Sequence, residues 1–491
     1  MPCKTDIVLI NPGNRRQIYQ ELAAEHAAIE PPFLIASIAS YLRNNNCSVQ
    51  IIDANALGLT PEETASAVNE ISPHLAAVIV YGSQPSASTQ TMDIAGAICK
   101  ALREYTQAKI AIGGLHPSAL PERTLKEEAV DFVVDGEGPV TLRLLIEAIH
   151  SGTKHYETVP GLWYYEGGEI KGTVRPGLLR NIDELFPAGA WDMLPMDKYR
   201  AHNWHCFDNI DSRMPYAAIY TSLGCPYSCV FCCINAPFGK PTLRYRSPAA
   251  VAAEIRLLRQ KYGVKNIKII DELFIFNEAH YMKILEPLIG EGLDLNFWAY
   301  ARIDSIKEKN LVKMKQAGVN WLALGIESAV SAVRDGVDKK IKSKAIGSVI
   351  REIHNAGIRV IGNYIFGLPD DTIATMEETL QMAVDLNCEF ANFYCAMAYP
   401  GSRLYSIAVE EGWELPDKWS DFSQHSYCAK PLPTKYCEAK EVLAFRDSAF
   451  HRYFEGTRYL NMIEEKFGAA LKTHITEMTK TRLKRKLLDE P

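Results

Sequence analysis

The segment Cys225-Pro-Tyr-Ser-Cys229-Val-Phe-Cys232 carries three cysteines, separated by three and then two residues. A four-iron cluster is normally held by cysteine thiolates, so three ligands on one short loop would leave one iron open to a small molecule. Structural zinc is the main alternative, but zinc usually takes four ligands in two separated pairs, and no second Cys-x2-Cys pair follows at that distance. The spacing therefore predicts a redox-active iron–sulfur cluster held by Cys225, Cys229 and Cys232.

Six strand-then-helix units begin just before this segment. The predicted strands are residues 217–221, 266–271, 296–302, 321–326, 359–366 and 390–396. Repeats of this kind predict a partial (β/α)6 barrel, in which the chemistry lies at the carboxyl ends of the strands. The cysteine segment follows the first of these ends, as that architecture requires.

The N-terminal region alternates short apolar runs with amphipathic stretches. Its predicted strands are residues 7–10, 49–52, 77–80, 110–112 and 132–134. Such alternation favours a doubly wound, Rossmann-like parallel sheet with ligands beyond the carboxyl ends of its strands. No Gly-x-Gly-x-x-Gly opens the first helix, so a dinucleotide site is not expected.

The fold class predicted for the whole chain is therefore α/β, in four consecutive regions. They are a Rossmann-like domain over residues 1–150, a hairpin and linker over 151–205, the partial barrel over 206–406, and a mainly helical C-terminal region over 407–491. A chain of 491 residues is long enough for two or three domains with cores of their own.

Composition limits the partners and the compartment. The net charge of −6 gives no basic footprint for nucleic acid or an anionic membrane surface. No apolar run approaches the roughly 20 residues that a membrane span requires, and the N-terminus has no apolar core of a signal peptide. The remaining cysteines are scattered, which is typical of thiols in a reducing compartment. We therefore expect a cytoplasmic protein.

The cysteine segment, with Phe231 before the third cysteine, resembles the signature of radical S-adenosylmethionine (SAM) enzymes. The resemblance implies that the open iron chelates SAM, which is cleaved to methionine and a 5′-deoxyadenosyl radical. It further implies that Phe231 lies against the adenine of SAM and that the acidic pair Asp271 and Glu272 faces its ammonium. Arg302 would pair with the SAM carboxylate. Glu327 and Ser328 would bind other polar groups of SAM, and the segment of Gly367 would lie along the adenine.

The N-terminal region resembles the cobalamin-binding domain that precedes many radical SAM barrels. The resemblance rests on Gly113-Gly-x-His116-Pro and on Asp131-Phe-Val-Val-Asp-Gly136-Glu-Gly138. Asn55 occupies the position where many such domains have a cobalt-binding histidine, so no histidine ligand is expected from this motif. The resemblance implies that cobalamin is contacted by residues at the strand ends, namely Asn11, Asn55, Ser83, Gln84, Gly113, Gly114, His116, Gly136, Glu137 and Gly138.

Together the two resemblances imply an enzyme with three cofactors: a [4Fe-4S] cluster, SAM and cobalamin. The favoured reaction is methyl transfer to an unactivated carbon of a small organic substrate by way of the 5′-deoxyadenosyl radical and methylcobalamin. An external donor such as flavodoxin or ferredoxin would supply electrons, and no protein side chain is expected to act as a catalytic group. Two alternatives stay open: a non-methylating rearrangement, cyclisation or oxidation, and a corrinoid-binding sensor or carrier.

Overall fold

The N-terminal domain is built on a seven-stranded sheet with the order β2-β1-β3-β4-β5-β6-β7. The structure, a computed structural model, describes residues 5–13, 20, 27–82, 84–152, 155–179, 181–341 and 343–489. Strands β1 to β5 are parallel. From β1 the chain adds β2 on one side and β3, β4 and β5 on the other, so the strand order reverses between β1 and β3 and creates a topological switch point there. The strands are β1 (Ile7–Asn11), β2 (Val49–Asp53), β3 (Leu75–Val80), β4 (Lys109–Gly114), β5 (Phe132–Val134), β6 (Leu162–Glu166) and β7 (Glu169–Gly172).

The predicted hairpin is not separate from this domain. Strand β6 pairs antiparallel with β5, and β7 pairs antiparallel with β6, so the hairpin extends the sheet at its far edge. The predicted border at residue 150 therefore cuts through the sheet. The sequence concealed this because a hairpin's own pattern does not show which edge it joins.

Helices cover both faces of the sheet. They are α1 (Phe33–Asn44), α2 (Ala54–Leu57), α3 (Pro61–Ile71), α4 (Pro85–Gln90), α5 (Met92–Tyr105), α6 (Leu115–Ala119), α7 (Pro121–Glu127) and α8 (Pro139–His150), followed in the linker by α9 (Ile182–Leu185). All six residues of β3 are buried, as expected for a strand covered on both faces.

The second domain is a six-stranded parallel sheet with the order β15-β14-β13-β12-β11-β8. Its strands are β8 (Tyr216–Ile219), β11 (Asn266–Ile269), β12 (Asn296–Ala301), β13 (Val319–Glu327), β14 (Arg359–Phe366) and β15 (Phe390–Cys395). A short antiparallel pair, β9 (Ser222–Leu223) and β10 (Arg244–Tyr245), brackets the cysteine segment. The predicted partial barrel is confirmed, with each predicted strand displaced by only a few residues.

Helices between and after these strands complete the molecule. They are α10 (Pro248–Tyr262), α11 (Glu278–Leu285), α12 (Glu308–Gln316), α13 (Ser331–Asp335), α14 (Ser343–Asn355), α15 (Ile373–Leu386), α16 (Arg403–Glu410), α17 (Ala439–Phe454), α18 (Thr457–Phe467), α19 (Ala469–Lys480) and α20 (Lys486–Asp489). One apolar core runs continuously from β1 and α1 through the barrel to the C-terminal helices. Within the described ranges, no helix has the length and apolar character needed to cross a bilayer.

Candidate cluster, SAM and cobalamin site

The cysteine segment forms a loop at the carboxyl end of β8. Gly224 opens it with a φ of +85°, and a Cβ there would lie 2.5 Å from the Thr242 carbonyl oxygen, so only glycine fits this turn. The backbone N–H of Thr242 donates back to the Cys225 carbonyl at 3.1 Å and closes the loop. Cys225, Cys229 and Cys232 are partly exposed free thiols, whereas the neighbouring Cys233 is buried.

The three thiols fit a polynuclear cluster better than a single metal ion. Burial, with smaller contributions from Glu272 and Cys229, raises the pKa of Cys225 to about 11, so the sulfurs of Cys225 and Cys229 lie close enough to repel one another as thiolates. Such a set needs a positively charged group to become anionic together, which cluster iron would supply. Yet, in the part of the chain that the structure describes, the three sulfurs do not all lie within 4.8 Å of one another. Ligands of one tetrahedral zinc would be about 3.8 Å apart, since Zn–S bonds are about 2.3 Å.

The acidic pair at the end of β11 divides into two roles. Asp271 is buried, and its carboxylate accepts bonds of 2.6 Å from the Thr221 N–H, the Thr221 hydroxyl and the Ser222 hydroxyl. It therefore fixes the start of the cluster loop. Glu272 is half-buried, and burial followed by the charge of Asp271 raises its pKa to about 8. Because Glu272 is also an electrostatic neighbour of Cys225, it is the better placed of the two to meet a cationic ammonium at the cluster.

Arg302 contacts two protein side chains. Its Nε and one terminal nitrogen each donate to the Asp304 carboxylate at 2.9 Å, and its guanidinium lies 4.2 Å from the centre of the Tyr227 ring. Since Tyr227 belongs to the cluster loop, Arg302 braces that loop. Its predicted contact with the SAM carboxylate stays a prediction.

Sequence reasoning missed Lys339, a buried cation beside the same loop. Its Nζ lies 2.8 Å from Oε1 of Glu327, which ends β13 with a φ of +65°. Burial lowers the pKa of Lys339, but Glu327 and Cys229 outweigh burial and leave it raised. The next residue, Ser328, is fully buried and shares its hydroxyl with Thr379 at 3.2 Å. Glu327 thus belongs to the cluster surroundings, whereas Ser328 holds the strand end to α15.

Phe231 and Gly367 both touch protein. Phe231 packs against the apolar cluster that contains Val333 and Leu368. Gly367 has a φ of +78°, and a Cβ there would lie 2.5 Å from the Val442 side chain. Its lack of a side chain therefore lets α17 approach the barrel, and the adenine contacts of both residues stay predictions.

A cavity of about 360 Å³ lies between the N-terminal sheet and the barrel interior. Three of the predicted cobalamin contacts line it: Asn11, Asn55 and Gln84. The Asn11 amide donates to Asp53 at 2.8 Å, and Asp53 also accepts a bond from the Tyr199 hydroxyl at 2.7 Å, so the linker helps to fix this strand end. Ser83 lies outside the described residues. The cavity thus opens at the switch point of the sheet, where a ligand of a doubly wound fold is expected.

The other predicted cobalamin residues do not line this cavity. A Cβ on Gly114 would lie 2.2 Å from a backbone carbonyl of β3, and Gly113 packs closely on Val134, so both serve the contact between strands. His116 is buried, bonds Thr89 at 3.1 Å and meets the Trp419 ring edge-on at 4.4 Å. The turn Gly136-Glu137-Gly138 faces the barrel, where Glu137 forms an ion pair with Arg244.

The cluster loop and the N-terminal domain are in direct contact. Cys233 and Ile234 pack against Leu115, with Tyr81 and Tyr399 around them. The Gln90 amide donates to the Tyr399 hydroxyl at 3.2 Å across the same boundary. Tyr81 and Tyr399, which pack beside the cluster loop, also line the cavity, so the loop adjoins the cavity through these two side chains.

Two family models match the chain, one in each domain. Residues 21–146 match the B12 binding domain, and residues 219–383 match the radical SAM superfamily. An uncharacterized methyltransferase of Pyrococcus horikoshii is 31% identical over 395 residues, which cover 80% of this chain and 82% of that protein. The chain belongs to the cobalamin-binding radical SAM enzymes. As a member of this family it is an enzyme that uses SAM, a [4Fe-4S] cluster and cobalamin.

Three other proteins are similar to the chain over most of its length. The anaerobic magnesium-protoporphyrin IX monomethyl ester cyclase of Cereibacter sphaeroides is 26% identical over 459 residues, or 91% of this chain and 70% of the cyclase. The methyltransferase TsrM of Kitasatospora setae, solved with tryptophan and aza-SAM, superimposes with a TM-score of 0.69 at 16% identity and covers 96% of this chain and 98% of its own. OxsB, solved with aqua-cobalamin and SAM, gives 0.70 at 17%, with 96% and 71% covered. These two likenesses establish the fold.

Proposed function

We propose that this enzyme transfers a methyl group from SAM to a carbon atom of a small organic substrate. The observation that carries the proposal is the single cavity shared by the cobalamin-domain strand ends and the barrel interior. When bound, the cluster would supply electrons for SAM cleavage, and cobalamin would supply a cobalt that can carry a methyl group. Tyr81 and Tyr399 line this cavity and pack beside the cluster loop, which supports a substrate position between the two cofactors.

The chain's own residues bind the cofactors, orient SAM and exclude water. Cys225, Cys229 and Cys232 would hold the cluster, and Glu272 would take the SAM ammonium, whose charge favours the ionised carboxylate. Lys339 adds a cation beside Cys229. Aromatic side chains of the barrel wall, Trp298 and Tyr300 among them, line part of the cavity. Where such side chains exclude water, a reactive radical is protected from side reactions.

A second candidate is a reaction without methylation, such as ring closure or oxidation. The similarity to the magnesium-protoporphyrin cyclase, over 91% of this chain, favours it. The two candidates need the same cofactors and differ in their products. A sensor or carrier role would not need the carboxylate and the ammonium groups gathered around the cluster loop.

The proposal is tested by anaerobic reconstitution with iron, sulfide and hydroxocobalamin, followed by SAM, a strong reductant and mass spectrometry. Radical SAM activity predicts 5′-deoxyadenosine, and methyl transfer predicts S-adenosylhomocysteine and methylated cobalamin beside it. A triple Cys225→Ala, Cys229→Ala, Cys232→Ala variant should lose the 5′-deoxyadenosine. Cys233→Ala is the matched control, because Cys233 is buried next to the loop and should leave cluster content unchanged.

The outcomes separate the candidates. If 5′-deoxyadenosine forms without methylated cobalamin, the non-methylating reaction replaces methyl transfer. If SAM is not cleaved although the cluster is intact, both reactions are refuted.

We further propose that an external low-potential donor such as flavodoxin or ferredoxin reduces the cluster and that the enzyme works in a reducing cytoplasm. The cysteines of the described residues are free thiols, which supports a reducing setting. The net charge of −6 supports a small-molecule substrate over a nucleic acid.

A further inference from the structure

Arg446, on α17 of the C-terminal region, lines the cavity. The residue is 6% exposed. Its Nε donates to the Phe393 carbonyl of β15 at 2.9 Å, and its NH1 donates to Asp447 at 2.8 Å. Among the contacts of the described residues, its other terminal nitrogen has no protein acceptor. A buried guanidinium therefore lines the cavity with N–H donors that no described protein acceptor uses.

Among the described residues, the charges around Arg446 do not cancel. Asp447 also accepts bonds from Arg485, from its Nε at 2.8 Å and its NH2 at 2.9 Å, so two buried guanidiniums share one carboxylate. Burial and the two arginines lower the pKa of the neighbouring His425 well below the usual range, so this side chain does not change the charge of the group. Counted over the residues that the structure describes, this group carries one excess positive charge. An uncompensated buried charge is costly, and a bound anion would offset it.

The described lining residues also include one ion pair. Lys268 donates to both carboxylate oxygens of Glu30, at 3.1 and 3.2 Å. Among the described lining residues, the charged side chains are Glu30, Lys268 and Arg446, so the excess charge lies at Arg446. Aromatic side chains flank it, including Phe393 and Phe450.

We propose that Arg446 binds an anionic group, a carboxylate or a phosphate, of the molecule that occupies the cavity, while the aromatic wall takes its apolar or ring-bearing part. The inference rests on the proposed function in taking this cavity as the place where the substrate binds. Two molecules could bring such a group: the substrate, or cobalamin through the phosphodiester of its nucleotide tail. In either case the C-terminal region supplies part of the binding site.

The experiment uses the full chain loaded with cobalamin, and equilibrium dialysis with two probes that differ in charge. 2-Naphthoate is anionic and 2-naphthol is neutral at pH 7. The wild-type protein should bind 2-naphthoate about tenfold more tightly, the value of one charge-assisted hydrogen bond. Arg446→Met should abolish that preference and leave 2-naphthol binding unchanged, whereas Arg446→Lys should keep most of it.

The variant should fold, because Asp447 keeps both bonds from Arg485 when Arg446 is removed. Arg452→Met is the matched control: Arg452 lies on the same helix, is half exposed and pairs with Glu377 away from the cavity. It should leave both probes unaffected. Circular dichroism checks that each variant is folded.

The source of the anion is decided by comparing cobalamin with cobinamide, which lacks the nucleotide tail. If Arg446→Met weakens binding of cobalamin but not of cobinamide, the anion is the cofactor's phosphodiester. If only 2-naphthoate binding falls, the anion belongs to the substrate. Equal binding of the two probes by wild type, together with unchanged cobalamin affinity in Arg446→Met, would refute the anion site. Formation of 5′-deoxyadenosine, measured separately, reports on the proposed function independently.

Discussion

Asp271 and Glu272 are adjacent carboxylates whose amide variants should fail in different ways. In Asp271→Asn, the new NH2 group faces donors that the carboxylate accepted, at three bonds of 2.6 Å. Each bond to a charged acceptor contributes about 1.5–3 kcal/mol, so losing at least one should cost about 2–4 kcal/mol. At about 2–4 °C per kcal/mol, the Tm should fall by roughly 5–10 °C. Iron and sulfide content should fall too, because Thr221 and Ser222 lead directly into the cluster loop.

Glu272→Gln should behave in the opposite way. Its carboxyl group is not part of that hydrogen-bonded set, so the Tm should change by about 1 °C or less and the cluster should assemble normally. SAM binding should weaken by about tenfold, because a neutral amide replaces the carboxylate beside the ammonium. Anaerobic thermal unfolding, iron analysis and SAM binding by equilibrium dialysis measure the three quantities. The assignment of roles is refuted if Asp271→Asn keeps its Tm and iron but loses SAM.

Three further predictions concern stability. Burial lowers the pKa of His116 to about 3. The unfolded chain, with a histidine pKa near 6.5, therefore binds more protons in acid, and stability falls as the pH drops. His116 should account for a fall of about 2 kcal/mol in the free energy of unfolding between pH 6.5 and 5. Urea unfolding of His116→Gln at both pH values should show a fall that is smaller by this amount. Glu254→Ala leaves the buried guanidinium of Arg246 without its 2.7 Å partner, so urea unfolding should show a cost of about 3–5 kcal/mol. Gly114→Ala places a Cβ 2.2 Å from a backbone oxygen and should lower the Tm by several degrees, whereas Gly152→Ala, with nothing within 4 Å, should lower it much less; equal shifts would contradict the steric argument.

The parallel strands of both sheets could be predicted because helices or the other domain cover both of their faces. Their sequences are continuous apolar runs bounded by polar or glycine residues, and such runs stand out without knowledge of their partners. The far edge of the N-terminal sheet could not be predicted in this way. The pairing of β6 with β5 joins residues about 30 positions apart, and nothing in either strand specifies the other.

In the candidate site, too, local sequence patterns could be predicted and contacts between distant residues could not. The cysteine spacing is local, so the cluster loop could be placed from the sequence alone. Lys339 and Arg446 could not be found, because their importance comes from partners brought together by the fold: Glu327 lies twelve residues from Lys339, and Phe393 lies 53 residues from Arg446. Arg302 shows the reverse case, since its partner Asp304 lies only two residues away in the sequence.

The antiparallel hairpin at the end of the N-terminal sheet determines where the cobalamin-binding half could be excised. A fragment that stopped at residue 150 would leave β5 as a bare edge, since Phe132, Val133 and Val134 would lose their pairing with β6. All three residues are buried in the whole protein. An apolar strand with open hydrogen-bonding groups invites pairing with other chains, so this fragment should aggregate. A fragment carried through Gly172 keeps the edge covered, and β7, with its charged Glu169 and Lys171, would face the solvent in its place.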